Sequence, residues 1–382
     1  MAENTRVCIT GIGAVSPFGR TAEALWSALV AGASAIAPVT AFDTAGLRCA
    51  VGGVVPDYTP RDDMDAEAAA ALDRRALFAA DAAIQALIQS DIPITAETVS
   101  QIGVAVGSEL PEAAVTTAAQ VARTISAAGP VTHLANGAVG GLMAIGEAAE
   151  WIRREDCSIV VAGGAEAPVT RAAFEHFDRM LTAGSGPHAV RPYDAARDGF
   201  ALSEGAAMLV LEAEDVAVRR GAFILAYVDG YGATFSRAPV ARPAPNAFDA
   251  GRAMQTALMK WDLTLQAEID AIFGTAGGGT VDAVEGQAIR RVWGPNTDKL
   301  MITAIKGGLG HTLGASGPFA VIAAIYALQA GLIPPTLNLS EQDPDCGQLE
   351  VVTGEPRRLT GARVMVNAFG IGHNASLIIS RP

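Results

Sequence analysis

The chain has 382 residues, half of them hydrophobic and 5% aromatic, with 41 glycines and a formal net charge of −13. So apolar a chain, rich in Ala and Gly, fits a large α/β core of closely packed helices and sheets in one or two intimately joined domains. The acidic balance argues against nucleic acid, because phosphate binding needs clustered cations and the pairs Arg74-Arg75, Arg153-Arg154, Arg219-Arg220 and Arg290-Arg291 are scattered.

The cysteines at 8, 49, 157 and 346 form no CxxC pair, and the opening MAENTRV lacks the basic-then-apolar order of a signal peptide, so a reducing cytoplasm is expected. Arg6 to Pro17 predicts a short strand running into a Gly-rich turn, with Cys8 in the core, and Thr21 to Gly32 predicts an amphipathic helix with Ala24, Leu25, Ala28 and Leu29 inward. The Gly-x-Gly of this turn is no dinucleotide loop: the third glycine, Gly19, follows Pro17, and no acidic ribose partner is suitably placed. A helix over Asp73 to Ser90 precedes a strand over Ile102 to Gly107. The Gly129-Pro130 break then leads into a helix ending at Arg154, whose Gly- and Ala-rich first half lets its backbone lie close to its neighbours. Cys157 to Glu166 is an apolar β-branched run closing on Gly-Gly, the pattern of a strand buried on both faces.

His176 and His188 lie on either side of the start of a Gly/Ser-rich loop, AGSGPHAV, and without HxxxH or carboxylate spacing they predict no metal site. The second half restarts with a strand over Phe223 to Gly232, a Pro- and Ala-rich loop (RAPVARPAPNAF), a helix over Asp249 to Lys260 and a strand over Ile269 to Gly274. The longest apolar run, Pro318 to Pro335, contains Gln329 and is short for a membrane span, so a buried helix is expected and no membrane partner. The recurring order of strand, helix, strand, small-residue helix and strand suggests an internal duplication, with halves at 1–215 and 216–382.

Seven motifs run in order from Ile9 to the C-terminus. They include ITGIGAVSPFG at the start, GPVTHLANGA followed by AIGEA and VVAGGAE, and RPYD, RDGF, SEGA and LVLE between Arg191 and Glu212. They continue with AIKGGLGHTLGASG from Ala304, IPPTLNL before Ser340, and NAFGIGHN ending at Asn374. With these the chain resembles the β-ketoacyl-acyl-carrier-protein synthases, the condensing enzymes of the thiolase fold. The resemblance implies a five-layered αβαβα architecture from two duplicated halves, with no cofactor and no metal.

In that family a cysteine at the N-terminus of the small-residue helix takes the acyl chain, where the helix dipole favours a thiolate. Counting without gaps, back from Ile145-Gly146 or forward from Gly129-Pro130, puts Ala138 at that position. Decarboxylative condensation also needs two imidazoles to stabilise an enolate oxygen. The family's HGTxT turn becomes Phe273-Gly-Thr-Ala-Gly-Gly-Gly-Thr-Val-Asp282, with Phe273 at the first imidazole position, one extra residue in the glycine run, and Asp282 and Glu285 keeping the DxxE pattern. The second motif keeps Lys306, Gly310, His311, Gly314 and Ala315. By resemblance Lys306 would polarise the site and His311 would donate an N–H; taken alone, a histidine at a glycine-rich helix start is a satisfied structural residue. Phe200 matches a family phenylalanine near the nucleophile and Phe369 the gating one, while His373 replaces a glycine or threonine. The long excursion that carries much of the family's acyl pocket and dimer contact is shortened to Ser108–Ala128.

The expectation is therefore a non-catalytic subunit, similar to the chain length factors of type II polyketide and aryl polyene systems. It would pair with an active ketosynthase as a heterodimer and meet the acyl carrier protein through that complex, with Ala138 and Phe273 filling or drying an unused site. One alternative keeps malonyl decarboxylation or acyl transfer on Lys306 and His311, with a water, Ser16 or Cys157 as nucleophile. Another is a homodimeric scaffold that binds an acyl group or a carrier protein, although the −13 charge disfavours docking of an acidic carrier.

Overall fold

A computed structural model describes residues 5–112, 115–178, 188–236, 246–259, 268–370 and 372–382. The elements form two successive runs; the first, up to Arg219, holds β1 (Val7–Val15), α1 (Ala22–Val30), β2 (Ile36–Pro38), β3 (Val51–Gly53), α2 (Ala66–Ala70), α3 (Arg74–Ser90), α4 (Ala96–Gln101), β4 (Ile102–Gly107), α5 (Thr117–Thr124), β5 (Val131–Leu134), α6 (Gly140–Arg153), β6 (Ile159–Glu166), α7 (Arg171–Phe177), β7 (Gly205–Ala213) and α8 (Glu214–Arg219). The second holds β8 (Ala226–Phe235), α9 (Ala247–Met259), β9 (Ala271–Phe273), α10 (Val281–Trp293), β10 (Met301–Thr303), α11 (Lys306–Leu309), α12 (Ser316–Ala330), β11 (Leu332–Ile333), β12 (Glu350–Val351), β13 (Arg357–Arg358), β14 (Arg363–Phe369) and β15 (His373–Ser380). Local chemistry starts these helices where the sequence places them. Thr21 and Asp73 accept from the backbone N–H groups of Ala24 and Ala76, which closes the first turns of α1 and α3.

Eleven strands form one sheet in the order β12-β10-β9-β14-β15-β8-β1-β7-β6-β4-β5. Outward from the β1/β8 seam the two runs repeat each other: the first strand, an antiparallel neighbour from the end of the run, then three mutually parallel strands, with β12 added at one edge. The seam itself is three residue pairs: Val7 with Val228, Cys8 with Tyr227 and Ile9 with Ala226.

The sheet's residues alternate between layers, as the period of two requires. On β7, Ala207, Leu209 and Leu211 face a central cluster with α6 and α12, while Ala206, Met208 and Val210 face α3 and α5. On β14, Val364 and Val366 join the same central cluster, and Met365 and Phe369 face α9 and α10. The result is the five-layered αβαβα arrangement that the motifs imply, with α6 and α12 as the middle layer. The Gly-rich start of α6 permits this. A Cβ at Gly141 would overlap the Gly314 carbonyl oxygen and press on the Pro318 ring.

One detail differs from the sequence reading. Val131–Leu134 is an edge strand parallel to β4, so the helix starts only at Gly140, after a single 3-10 turn over Gly137–Val139. The Pro- and Ala-rich loop and the Gly/Ser-rich loop lie mostly outside the described residues. The apolar stretch Leu313–Ala330 is a core helix with 83% of its residues buried, as its length and its glutamine suggested.

Candidate functional site

Four segments converge on a cavity of about 630 Å³: the 3-10 turn before α6, the loop before β7, the glycine loop after β9, and the turn after α11. Ala138, Phe200, Lys306, His311 and Phe369 all line it, so five of the six residues singled out from the motifs come together. The sixth does not. Phe273 ends β9, pairs with Thr303 and Val366, and is 1% exposed in the central core, so it neither fills nor dries the cavity. The cavity-facing residue of that segment is Thr275, two positions on.

Buried carboxylates set the shape of the glycine loop. Asp282 accepts from the backbone N–H groups of Tyr193, Gly277 and Gly278, at 2.9, 3.0 and 2.9 Å. Glu285 accepts from the N–H groups of Thr275 and Ala276 and from the Tyr193 hydroxyl and the Asn367 amide. Burial pushes both carboxyls up from their ordinary values, and the backbone donors oppose that shift. These two residues therefore fix the course of the loop around Thr275.

Lys306 donates to the Thr275 carbonyl oxygen at 2.6 Å, and its Nζ lies 3.5 Å from His311 Nε2. Desolvation lowers Lys306 to about 8, against the pull of Glu285, Asp282 and Glu109. His311 is held by its backbone, whose N–H donates to Ala201 and whose carbonyl accepts from Ser203. Its Nδ1 accepts from the Leu313 N–H at 3.0 Å, which assigns the proton of the neutral ring to Nε2. Burial, then the Lys306 charge, drives its pKa well below the ordinary value, so the ring is neutral near pH 7. Lys306 Nζ and His311 Nε2–H thus form a corner of two donors, suited to a carbonyl oxygen that gains negative charge. Phe200 stacks obliquely on His311 with ring centroids 4.7 Å apart, and Phe369 is tied to the glycine loop by its N–H to Thr275 Oγ1 at 3.2 Å.

What the cavity lacks is a nucleophile in the family position. Ala138 sits on the turn entering α6, and none of the four cysteines lines the cavity. All four thiols are buried and shifted upward by burial, Cys8 to about 12, Cys157 to about 11 and Cys346 to about 12. Ser16 is fully buried, its hydroxyl donating to the Gly19 carbonyl, and lies outside the cavity like Cys157. His373 bonds the Asn136 amide at 3.3 Å, and His188 bonds the Asn338 side chain at 3.0 Å. Among the described residues no group of three or more His, Cys, Asp or Glu could hold a metal ion.

Several cavity residues lie outside the motifs, Phe177, Asp343 and Glu109 among them, and Glu109 carries a charge shifted by its setting. Glu109 follows β4 and shares the cavity with Ala138 and Lys306, and burial raises its carboxyl to about 7. The signal was a lone charge directly after the buried run IGVAVGS, at the start of the shortened excursion.

Family models agree with this geometry: the beta-ketoacyl synthase N-terminal domain matches residues 4–114 and 109–217, and the C-terminal domain matches residues 225–340. The chain belongs to the beta-ketoacyl synthase family. That family serves fatty-acid and polyketide synthesis. The chain is 31% identical to the 3-oxoacyl-[acyl-carrier-protein] synthase 2 of Coxiella burnetii and 30% identical to that of Synechocystis sp., with 99% of each chain covered. Among solved structures, the ishigamide ketosynthase/chain length factor superposes with a TM-score of 0.89 at 30% identity, covering 99% of both chains. A beta-ketoacyl synthase from Burkholderia phymatum STM815 superposes with a TM-score of 0.90 at 30% identity, covering 99% of this chain and all of the other.

Proposed function

We propose that this ketosynthase-family chain is a non-catalytic subunit of the chain-length-factor type, which pairs with an active ketosynthase and shapes the pocket in which the partner's acyl chain grows. The observation that carries this reading is Ala138: a methyl group stands on the cavity wall at the N-terminus of α6, and no thiol elsewhere in the chain faces the cavity. Acyl transfer through a covalent thioester needs a thiolate at that point. The retained donors Lys306 and His311 do not replace it, since neither forms the acyl thioester on which chain extension depends.

The complex would meet the acyl carrier protein through the ketosynthase, in the cytoplasm, with type II polyketide products of the aryl polyene kind as the class proposed. Phe200 and Phe369 would act as aromatic walls that limit what enters this subunit's cavity. Co-expression with the nearest-encoded active ketosynthase, followed by size exclusion and native mass determination, tests the pairing. A one-to-one heterodimer that extends acyl chains is the expected result. A purified single chain that condenses acyl and malonyl carrier-protein substrates would refute it.

A further inference from the structure

We infer that Glu109 sets the ligand class of the cavity, admitting an uncharged carbonyl ligand such as a neutral acyl thioester and turning away acyl groups that carry a free carboxylate. Its position supports this first. Glu109 lines the cavity, and a Cβ built on Gly137 would lie 4.0 Å from its Cδ, so the carboxyl stands beside the wall that carries Ala138. Its hydrogen bonding supports it next. The Glu109 backbone N–H is engaged by Glu166, whereas the side-chain Oε2 is buried without a hydrogen-bond partner among the described residues. No donor on the described residues therefore offsets charge at that oxygen, and a carbonyl ligand, which brings no second charge, is tolerated beside it where an anion is not.

The surrounding charges do not cancel it. Lys306 acts on Glu109 through space, but no ion pair joins the two among the described residues, and its Nζ donates to the Thr275 carbonyl instead. Glu166 adds a second carboxyl beneath the Glu109 backbone, and Arg75 is taken up by Glu112 and Glu166. Arg197, also on the cavity wall, is paired with Asp343. A carbonyl oxygen at the Lys306 and His311 corner meets two donors, but a carboxylate brought past Ala138 meets Glu109 in a poorly solvated space. Like charges there repel strongly.

The test needs no enzymatic activity, so its outcome is independent of the pairing with a ketosynthase. Ala138→Cys puts a reporter thiol on the wall, in the purified chain or in its complex. Its alkylation by neutral iodoacetamide and by anionic iodoacetate is followed at about pH 8, by mass of the peptide carrying position 138, with N-acetylcysteine as reference. The ratio of the two rates cancels the thiolate fraction. The expected preference for iodoacetamide exceeds the reference by about ten-fold, the size of a like-charge interaction across a few ångströms of partly screened cavity. Adding Glu109→Gln, or Glu109→Ala as a second variant, should bring the ratio to within about two-fold of the reference. A reference-like ratio in the single variant, or one that both Glu109 variants leave unchanged, overturns the inference. A thiol that neither reagent reaches overturns it as well, because position 138 would then not open on the cavity.

Discussion

Glu109 and Asp282 show how the same residue chemistry takes opposite roles according to what surrounds it. Asp282 is enclosed by three backbone N–H donors. Replacing it with alanine strands those buried donors, and Asp282→Ala should lose about 3 kcal/mol or more in denaturant unfolding; a loss under about 1 kcal/mol would show that the loop re-pairs. Glu109 has no such cage, and burial lifts it from 4.5 to about 7. Because the folded state binds its proton more tightly than the unfolded chain does, the stability linked to that proton is complete below about 4.5 and is lost as pH rises through about 7. Glu109→Gln should therefore gain on the wild type between pH 5 and pH 8, by on the order of 1–3 kcal/mol. Denaturant midpoints at the two pH values check this, and a gap of constant size would contradict it. Of the site, Ala138, Lys306 and His311 were legible because their motifs are rigid in length. Phe273 was misplaced because the end of β9 is set by pairing with Thr303 and Val366, partners distant in sequence, and the extra glycine-loop residue blurs any count. Glu109 was overlooked for a related reason: a charge after a strand is ordinarily solvated, and the segments that share its cavity, at Gly137 and Lys306, are distant in sequence.

Helices α6 and α12 meet through residues too small to separate them, and this contact joins the two sides of the cavity. Gly141 lies on α6 directly against the segment that follows His311. A methyl at that point meets backbone, which cannot turn aside as a flexible side chain can. Gly141→Ala is therefore expected to cost about 1–3 kcal/mol or more and to loosen His311 along with it. Thermal unfolding of the variant gives the first number, and a His311 imidazole resonance that broadens or titrates nearer its ordinary value gives the second. Unchanged stability would mean that the two helices can slide apart, contrary to the packing seen. The Gly- and Ala-rich spacing made this burial readable from sequence, whereas the edge strand β5 was not, since four residues after a Gly-Pro carry too little pattern to tell strand from helix.

Over the whole molecule, the two runs of strands share one middle layer and one sheet, so neither has a complete core of its own. The central cluster takes residues from β1, β7, β8, β14 and β15 alike. Unfolding at equilibrium should consequently be a single event, despite a length at which intermediates are common. Tryptophan fluorescence, from Trp26 and Trp151 in the first run and Trp261 and Trp293 in the second, should change together with far-UV circular dichroism; two separated transitions would show that the halves stand alone. The motifs made this architecture legible early, through the resemblance to the thiolase fold, whereas the order of elements by itself suggested only a duplication. The shared layer also has a consequence in time. During synthesis α6 leaves the ribosome first and waits for α12, about 180 residues behind, which at about 5–20 residues per second is roughly 10–40 s. For that interval its apolar face has no lid, and the nascent chain must be sheltered by something other than itself.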